Sequence, residues 1–148
     1  MPQTQQALAT YVKLARAADT VTACAHAHLG GHNLTISQFG VLEALLHKGP
    51  LCQRALAQKL LKSGGNMTTV VDNLEKRGLV RRQRGEADRR FSTVHLTDEG
   101  RELIERIFPA HAQGIAELFS VLTPEEQTQL GNLCRKLGHA CAGTGLEE

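Results

Sequence analysis

Aromatic residues are scarce in this chain, whose 148 residues include one tyrosine, four phenylalanines and no tryptophan. Aromatic side chains favour strands, so their scarcity beside many Leu and Ala residues favours helix packing over a β-sandwich or barrel. The length suits a single domain that buries on the order of 70% of the surface of its unfolded chain. We therefore expect one mainly α-helical domain, residues 1–148, with any strands confined to a small part of it.

Long apolar runs and paired cysteines are also missing. No run approaches the roughly 18 residues that a membrane helix needs, and the N-terminus, MPQTQQ, lacks the charged and apolar regions of a signal peptide. The four cysteines (Cys24, Cys52, Cys134 and Cys141) form no CxxC pair and no zinc-finger spacing. We expect a cytoplasmic protein with reduced cysteines and no membrane partner.

Patterns typical of catalysis or metal binding do not occur. There is no Ser-His-Asp order, phosphate loop or catalytic carboxylate pair, so we expect neither an enzyme nor a cofactor. His26, His28 and His32 are close in sequence, but helical geometry turns the first two to different faces, and Gly30 and Gly31 precede the third. Polar lining or surface is the favoured interpretation of these histidines over a metal site.

Positive charge is concentrated although the net charge is only +2. Seven of the 17 basic residues lie between positions 76 and 90, where there are two acidic residues, Glu86 and Asp88. The seven are Lys76, Arg77, Arg81, Arg82, Arg84, Arg89 and Arg90. Any contact with nucleic acid must therefore come from this local cluster.

Apolar spacing predicts three helices before the basic cluster. The first runs from about Thr4 to Leu29 and is ended by Gly30 and Gly31. The second follows candidate caps at 35–38 and stops at Lys48-Gly49-Pro50, and the third runs from about Cys52 to Ser63-Gly64-Gly65. A tight turn to the next helix gives the outline of a helix-turn-helix.

The fourth helix and the basic cluster form one unit. The helix starts at about Gly65 or Asn66, docks through Met67, Val70, Val71 and Leu74, and ends at Gly78. Two alternating segments, 79–84 and 91–97, flank a charged turn at 85–90 and predict a β-hairpin wing.

Two helices follow the wing. Thr97 or Asp98 caps a fifth helix, within which Pro109 predicts a kink or a local break. Thr123-Pro124 begins a last helix, which we expect to bury Leu130, Leu133 and Leu137 and to fray after His139.

The side chains of this unit suit B-form DNA, whose major groove admits one helix. The predicted base-contacting residues are Asn66, Thr68, Thr69 and Asn73, with Ser63 holding a phosphate where the helix begins. Arg77, Arg82 and Arg84 suit phosphates, and Arg89 and Arg90 suit a narrow minor groove. A Thr/Asn-rich face alone is usually solvated surface, and a basic hairpin alone is often a protected sheet edge. Their adjacency favours DNA binding.

Residues 88–97, with the pattern DxRxxxVxLT, resemble the wing signature of MarR-type winged-helix regulators, and 72–80 resemble the segment before it. The resemblance covers about residues 5–140. It implies dimerisation helices at about 5–30 and 98–140 and a winged helix-turn-helix lobe at about 35–97. It further implies a homodimeric bacterial regulator, usually a repressor, that a phenolic or quinone-like effector or oxidation releases from a palindromic operator. The residue matching Asp88 would brace the wing, and that matching Arg90 would reach DNA or share the brace.

Two cysteines are candidate redox sensors. Cys52 stands where such proteins usually have a Ser or Thr helix cap, and a helix N-terminus favours a thiolate, although a tolerated small residue is the favoured interpretation. Cys24 lies in the first helix, but among Ala, Thr and His residues and without aromatic neighbours. The remaining alternative for the whole chain is a helical protein-interaction module whose wing is a solvated edge.

Overall fold

A computed structural model describes residues 2–60, 62–85 and 92–142 of the chain. The elements are α1 (Pro2–His26), a 3-10 helix (Ala27–His32), α2 (Ile36–Lys48), β1 (Leu51–Cys52), α3 (Gln53–Lys59), α4 (Gly64–Lys76), β2 (Val80–Arg84), β3 (Ser92–Leu96), α5 (Asp98–Phe119) and α6 (Pro124–Ala142). This mainly helical architecture with one small antiparallel sheet confirms the expected fold class. Within these ranges no helix combines the length and the apolar character that a membrane crossing requires.

Hydroxyl side chains begin α2 and α5, as the sequence predicts. Thr35 Oγ1 accepts a hydrogen bond from Gln38 N at 3.1 Å, and the Gln38 side chain accepts one from Thr35 N at 3.0 Å, which completes a capping box. At α5 the cap is Thr97 rather than Asp98, and its Oγ1 accepts from Gly100 N at 3.0 Å. Both helices therefore start at a fixed residue.

The first helix ends earlier than the sequence predicts. α1 stops at His26, and the chain continues as a 3-10 helix through Gly30 and Gly31 to His32. The segment ends at Asn33, whose φ of 55° lies in the left-handed region and whose N–H donates to the Gly30 carbonyl at 3.2 Å. Asn tolerates this conformation better than most residues, so it ends the helix in place of the glycines.

The sheet contains a strand that the sequence did not predict. β1 pairs with β3, with Leu51 opposite Val94, and the strand order is β1-β3-β2. β2 and β3 form the predicted antiparallel hairpin, in which Val80 lies opposite Leu96. A strand of two residues is too short to show alternation, so no pattern in the sequence marks β1.

The core lies between α2, α4, α5 and the sheet. Its buried side chains include Phe39, Leu42 and Leu45 of α2, Met67, Val71 and Leu74 of α4, Val94 of β3, and Ile104 and Ile107 of α5. Three of the four residues predicted to dock the fourth helix are thus buried, and the fourth, Val70, is half-buried. This packing leaves the opposite side of α4 facing solvent.

Helix α5 joins the wing through a close backbone approach. A Cβ atom at Gly100 would overlap the carbonyl oxygen of Leu79, and that oxygen accepts a hydrogen bond from Thr97 N at 3.1 Å. Only glycine permits this approach. α5 then continues through Pro109 as one helix, so no break occurs there.

Candidate nucleic-acid interface

Helix α4 is capped by a serine, and its polar side faces solvent. Ser63 Oγ accepts a hydrogen bond from Asn66 N at 3.2 Å, so the helix begins at Gly64, slightly before the predicted start. Asn66, Thr69 and Asn73 are exposed on the side opposite the core. The structure therefore brings together on one solvent-facing surface most of the residues predicted to contact bases.

The two threonines of α4 differ in how their hydroxyl groups are used. Thr68 Oγ1 donates to the Gly64 carbonyl at 3.0 Å and accepts from Gln53 Nε2 at 2.6 Å. Thr69 Oγ1 donates to the Gly65 carbonyl at 3.3 Å and accepts no hydrogen bond from any described residue. Thr69 therefore keeps its lone pairs available as acceptors, whereas Thr68 is engaged in contacts within the protein.

Arg82 lies against α4 rather than extending away from the wing. Its Nη2 atom is 2.7 Å from Asp72 Oδ1, and its Nη1 atom is 3.2 Å from Glu75 Oε1. Nη2 also donates to Gln53 Oε1 at 3.2 Å. Only 24% of the side chain is exposed. The sequence placed Arg82 among the phosphate ligands, but the structure directs its guanidinium to the two acids of α4, because Asp72 and Glu75 share the flank beside β2.

Arg77 and Arg84 are exposed at two separate places. Arg77 Nη1 donates to the Asn33 carbonyl at 2.7 Å. It borders an open cleft of ≈ 480 Å³ at the N-terminal end of α2, which Lys76 and Asn73 also line. Arg84 ends β2. Each guanidinium has five N–H donors, so both residues keep donors for an anion.

The turn of the wing lies outside the described residues. It contains Asp88, the predicted brace, and Arg89 and Arg90, the residues predicted to enter the minor groove. The hairpin is described as far as the pair of Arg84 and Ser92. The roles of these three residues stay predictions.

The two candidate sensor cysteines occupy different environments. Cys52 is half-buried, and its Sγ accepts a hydrogen bond from Ala55 N at 3.4 Å as the cap of α3. Cys24 is exposed on α1. Cys52 thus replaces the usual hydroxyl cap, and a sensing role for either cysteine stays a prediction.

A histidine cluster joins α1, the 3-10 helix and α5. His28 Nε2 lies 2.9 Å from His111 Nδ1, and the His26 ring lies 5.4 Å from the His111 ring. His111 is 4% exposed and packs on Phe39 with ring centroids 4.5 Å apart. Burial lowers the pKa of His111, and the nearby Glu43 carboxylate opposes that shift.

This cluster corrects the expectation that His26 and His28 face different ways. The change from α-helix to 3-10 helix after His26 alters the angle between successive side chains, so both rings approach His111. His111 follows Ile104 and Ile107 at helical spacing, a sequence signal that indicates burial but gives no partner. Across the described ranges, no group of three or more His, Cys, Asp or Glu residues is arranged to hold a metal ion.

The terminal helices expose apolar side chains in the single chain. They are Leu8, Tyr11 and Val12 of α1, and Leu130, Leu133 and Leu137 of α6. The expectation that α6 buries its three leucines is therefore wrong for one chain alone, and α6 continues past His139 to Ala142. The two helices also border a cleft of ≈ 440 Å³.

Comparisons with known proteins agree with this arrangement. A family model described as MarR family matches residues 32–90. YkoM of Bacillus subtilis (strain 168), an uncharacterized HTH-type transcriptional regulator, is 37% identical over 136 residues, which are 92% of this chain and 88% of the relative.

Two solved structures resemble the chain over most of its length. Sco3205, a MarR family transcriptional regulator from Streptomyces coelicolor in complex with DNA, is 27% identical with a TM-score of 0.81, over 95% of this chain and 88% of that one. BpsR of Bordetella bronchiseptica, whose DNA binding is regulated by 6-hydroxynicotinic acid, is 30% identical with a TM-score of 0.75, over 84% and 89%. From the sequence identity, the family match and the shared fold, the chain belongs to the MarR family of DNA-binding transcriptional regulators.

Proposed function

We propose that this chain is a homodimeric repressor that binds a palindromic operator and is released by a small aromatic effector or by oxidation. The observation that carries the proposal is the exposed polar face of α4 directly beside the basic β2–β3 hairpin. A helix of this kind enters the major groove while the hairpin follows the backbone into the adjacent minor groove. Because such a regulator acts on the chromosome, we place it in the cytoplasm.

Base contacts are assigned to the exposed face of α4. Asn66 and Asn73 each carry a carboxamide that both donates and accepts, as an adenine edge requires. The free lone pairs of Thr69 accept from the amino group of adenine or cytosine, and its methyl group contacts thymine. These three side chains are therefore the proposed readers of sequence.

Phosphate contacts are assigned around that face. The Ser63 hydroxyl and the first backbone N–H groups of α4 suit a phosphate at the helix N-terminus. Arg77 and Arg84 are exposed, Arg77 at the C-terminal end of α4 and Arg84 at the end of β2. Arg89 and Arg90 are the proposed minor-groove residues, as the wing signature implies.

Dimerisation is assigned to α1 and α6. Exposed apolar residues at three- and four-residue steps form a stripe on each helix, and a second copy of the chain is the partner that covers such stripes symmetrically. Two-fold symmetry then presents two α4 helices to successive major grooves, with half-sites about 34 Å apart.

Effector binding is assigned to the crevice between the terminal helices and the DNA-binding lobe. The similarity to BpsR supports a hydroxylated aromatic effector, and the His28, His111 and Phe39 rings lie where the 3-10 helix, α5 and α2 meet. A ligand there changes the distance between the two α4 helices. It needs to favour the nonbinding form by only about 1–3 kcal/mol to act as a regulator.

The test is fluorescence anisotropy on a pseudo-palindromic duplex from the region upstream of the chain's own reading frame. We expect binding to that duplex at least 1,000-fold tighter than to a scrambled duplex, at one stated salt concentration. An insertion of about five base pairs between the half-sites turns them to opposite sides of the duplex and should abolish the preference.

Three outcomes would contradict parts of the proposal. Equal affinity for operator and scrambled DNA removes sequence-specific regulation and leaves a protein-interaction module. Unchanged binding to the duplex with the five-base-pair insertion would contradict the two-fold arrangement. Deletion of the gene should raise expression of a reporter driven by the upstream region, and a fall in expression would contradict repression. Melting-temperature screening against phenols, quinones and oxidants then identifies the effector, because a ligand of the native state raises the apparent stability.

A further inference from the structure

Five side chains between α3, α4 and β2 form one polar network centred on Arg82. The guanidinium reaches Asp72, Glu75 and Gln53 at 2.7, 3.2 and 3.2 Å. Its Nη2 atom also lies 3.4 Å from the Thr68 carbonyl. The backbone N–H of Arg82 adds a hydrogen bond to Glu75 Oε2 at 3.0 Å, so both the side chain and the main chain of β2 are attached to α4.

The network also fixes α3. Gln53, the first residue of α3, accepts from Arg82 through Oε1 and donates from Nε2 to Thr68 Oγ1 at 2.6 Å. Thr68 in turn donates to the Gly64 carbonyl in the first turn of α4. The two helices of the helix-turn-helix and the first strand of the wing therefore meet at a single side chain.

Charge argues against a phosphate at this position. Arg82 contributes +1 and its two partners, Asp72 and Glu75, contribute −2, so the group carries a net charge of −1. A phosphate would be repelled by such a group unless the acids moved away. Both terminal nitrogens of Arg82 are already engaged, and three quarters of the side chain is covered.

We propose that Arg82 is a positioning residue for DNA binding, which fixes the wing relative to the recognition helix through Asp72, Glu75 and Gln53. Thr68 belongs to the same network and supports the helix rather than reading bases. This role also explains why a helix that enters DNA carries the acidic residues Asp72 and Glu75, since they hold the wing. This inference rests on the proposed DNA-binding function and assigns within it the residues that set its geometry.

The first experiment measures the wing without DNA. Hydrogen–deuterium exchange of peptides covering β2 and β3 should be at least tenfold faster in Arg82→Lys than in the wild type, because an ammonium cannot bridge three acceptors in fixed directions. Glu75→Gln should act in the same direction, since it weakens the bond to the Arg82 N–H. Arg81→Lys is the matched control: the neighbouring side chain is exposed and bonds only Gln83 among the described residues, so its exchange should be unchanged.

The second experiment measures affinity for operator and scrambled duplexes across a salt series. Arg82→Lys should weaken operator binding at least tenfold while the slope against salt stays the same, because the charge is kept. Asp72→Asn removes a negative charge from α4, so it should strengthen binding to scrambled DNA and weaken binding to the operator. The ratio of the two affinities, which a general loss of fold would not change in this manner, is the decisive quantity.

The opposite results identify a phosphate ligand. In that case Arg82→Lys keeps its operator affinity, Arg82→Gln flattens the salt slope by about 0.9, and Asp72→Asn strengthens binding to both duplexes. Unchanged exchange in Arg82→Lys also overturns the inference. If the wild type fails to prefer its operator, the proposed function fails, but the exchange measurement still decides whether Arg82 holds the wing.

Discussion

His28 Nε2 and His111 Nδ1 lie 2.9 Å apart and connect two positions that are 83 residues apart in the sequence. One of these nitrogens must donate and the other accept, so at least one of them is unprotonated. The pair lies where the 3-10 helix meets α5, and the rings of Phe39 in α2 and His26 in α1 pack against it. Its protonation is therefore linked to the stability of that junction.

The free energy of unfolding should fall as the pH is lowered below about 6.5. Burial holds the pKa of His111 below its ordinary value of 6.5, and His28 and His26 act in the same direction, while Glu43 opposes them. The unfolded chain then binds more protons than the folded chain in the range from about 6.5 down to the folded pKa, so stability is lost across that window. Urea denaturation at pH 7.5, 6.5 and 5.5 measures the slope.

The matched variants separate this cause from general acid effects. His111→Gln keeps a hydrogen-bonding side chain but does not titrate, so its stability should depend less steeply on pH. Ala112→Gln places the same amide at an exposed position of α5 without changing a titratable group, so it should keep the wild-type slope. A wild-type slope in His111→Gln would show that other groups cause the pH dependence.

Local signals predicted the parts of the fold that depend on local chemistry. The caps Thr35 and Thr97 were identifiable because a short polar side chain before an apolar period satisfies free N–H groups nearby. The docking side of α4 followed from the spacing of Met67, Val71 and Leu74. By contrast, β1 was missed because two residues carry no period and pair only with a strand about 40 residues away.

The structure shows where the described site residues lie, while their roles in DNA binding stay predictions. The sequence predicted a polar face on α4 beside a β-hairpin, and it assigned Arg82 from its charge alone. The spacing of Asp72 and Glu75 puts both acids on one helical flank, and that was the available signal. What the sequence did not contain is the packing of β2 against this flank, which decides whether the guanidinium meets an acid or solvent.

Gly100→Ala should destabilise the protein by about 3 kcal/mol or more, because the added methyl group overlaps the Leu79 carbonyl and cannot be accommodated without moving α5 away from the wing. Gly114→Ala is the control in the same helix, since a Cβ there meets no atom within 4 Å. That variant should be stabilised by up to about 1 kcal/mol. Thermal denaturation compares the two, and equal effects would contradict the close approach.

Thr69→Ala should cost about 1–3 kcal/mol on the operator and relax the preference at one base position, because it removes both a free acceptor and a methyl group. Thr69→Ser keeps the hydroxyl and removes the methyl, so it separates an amino-group contact from a thymine contact. Thr128→Ala, in α6, removes a similar backbone-bonded hydroxyl far from α4 and serves as control. Selection from a randomised duplex library measures the base preference at each position. An unchanged preference in Thr69→Ala would show that this residue does not contact bases.

Arg90→Ala should weaken binding to operator and scrambled duplexes alike and reduce the slope of log affinity against log salt by about 0.9, the release of counterions from one phosphate. A basic wing residue interacts with DNA phosphates and with the negative potential of the minor groove. Both duplexes have these features. Arg106→Ala, an exposed arginine of α5, should leave the slope unchanged. If Arg90→Ala matches the wild type throughout the salt series, the wing does not contact DNA through this residue.

Leu133→Arg should convert the proposed dimer to a monomer. Leu133 is 64% exposed in the single chain, so burying the rest of its side chain contributes about 1–2 kcal/mol. A two-fold interface contains each residue twice, so one substitution removes about 2–4 kcal/mol, which weakens the dimer by roughly 30- to 10³-fold. Ile36→Arg, at the start of α2 and 50% exposed, changes an apolar surface residue of the DNA-binding lobe instead, so the dimer should persist. Light scattering after size exclusion distinguishes them: a dimeric Leu133→Arg variant would show that α6 does not form the interface.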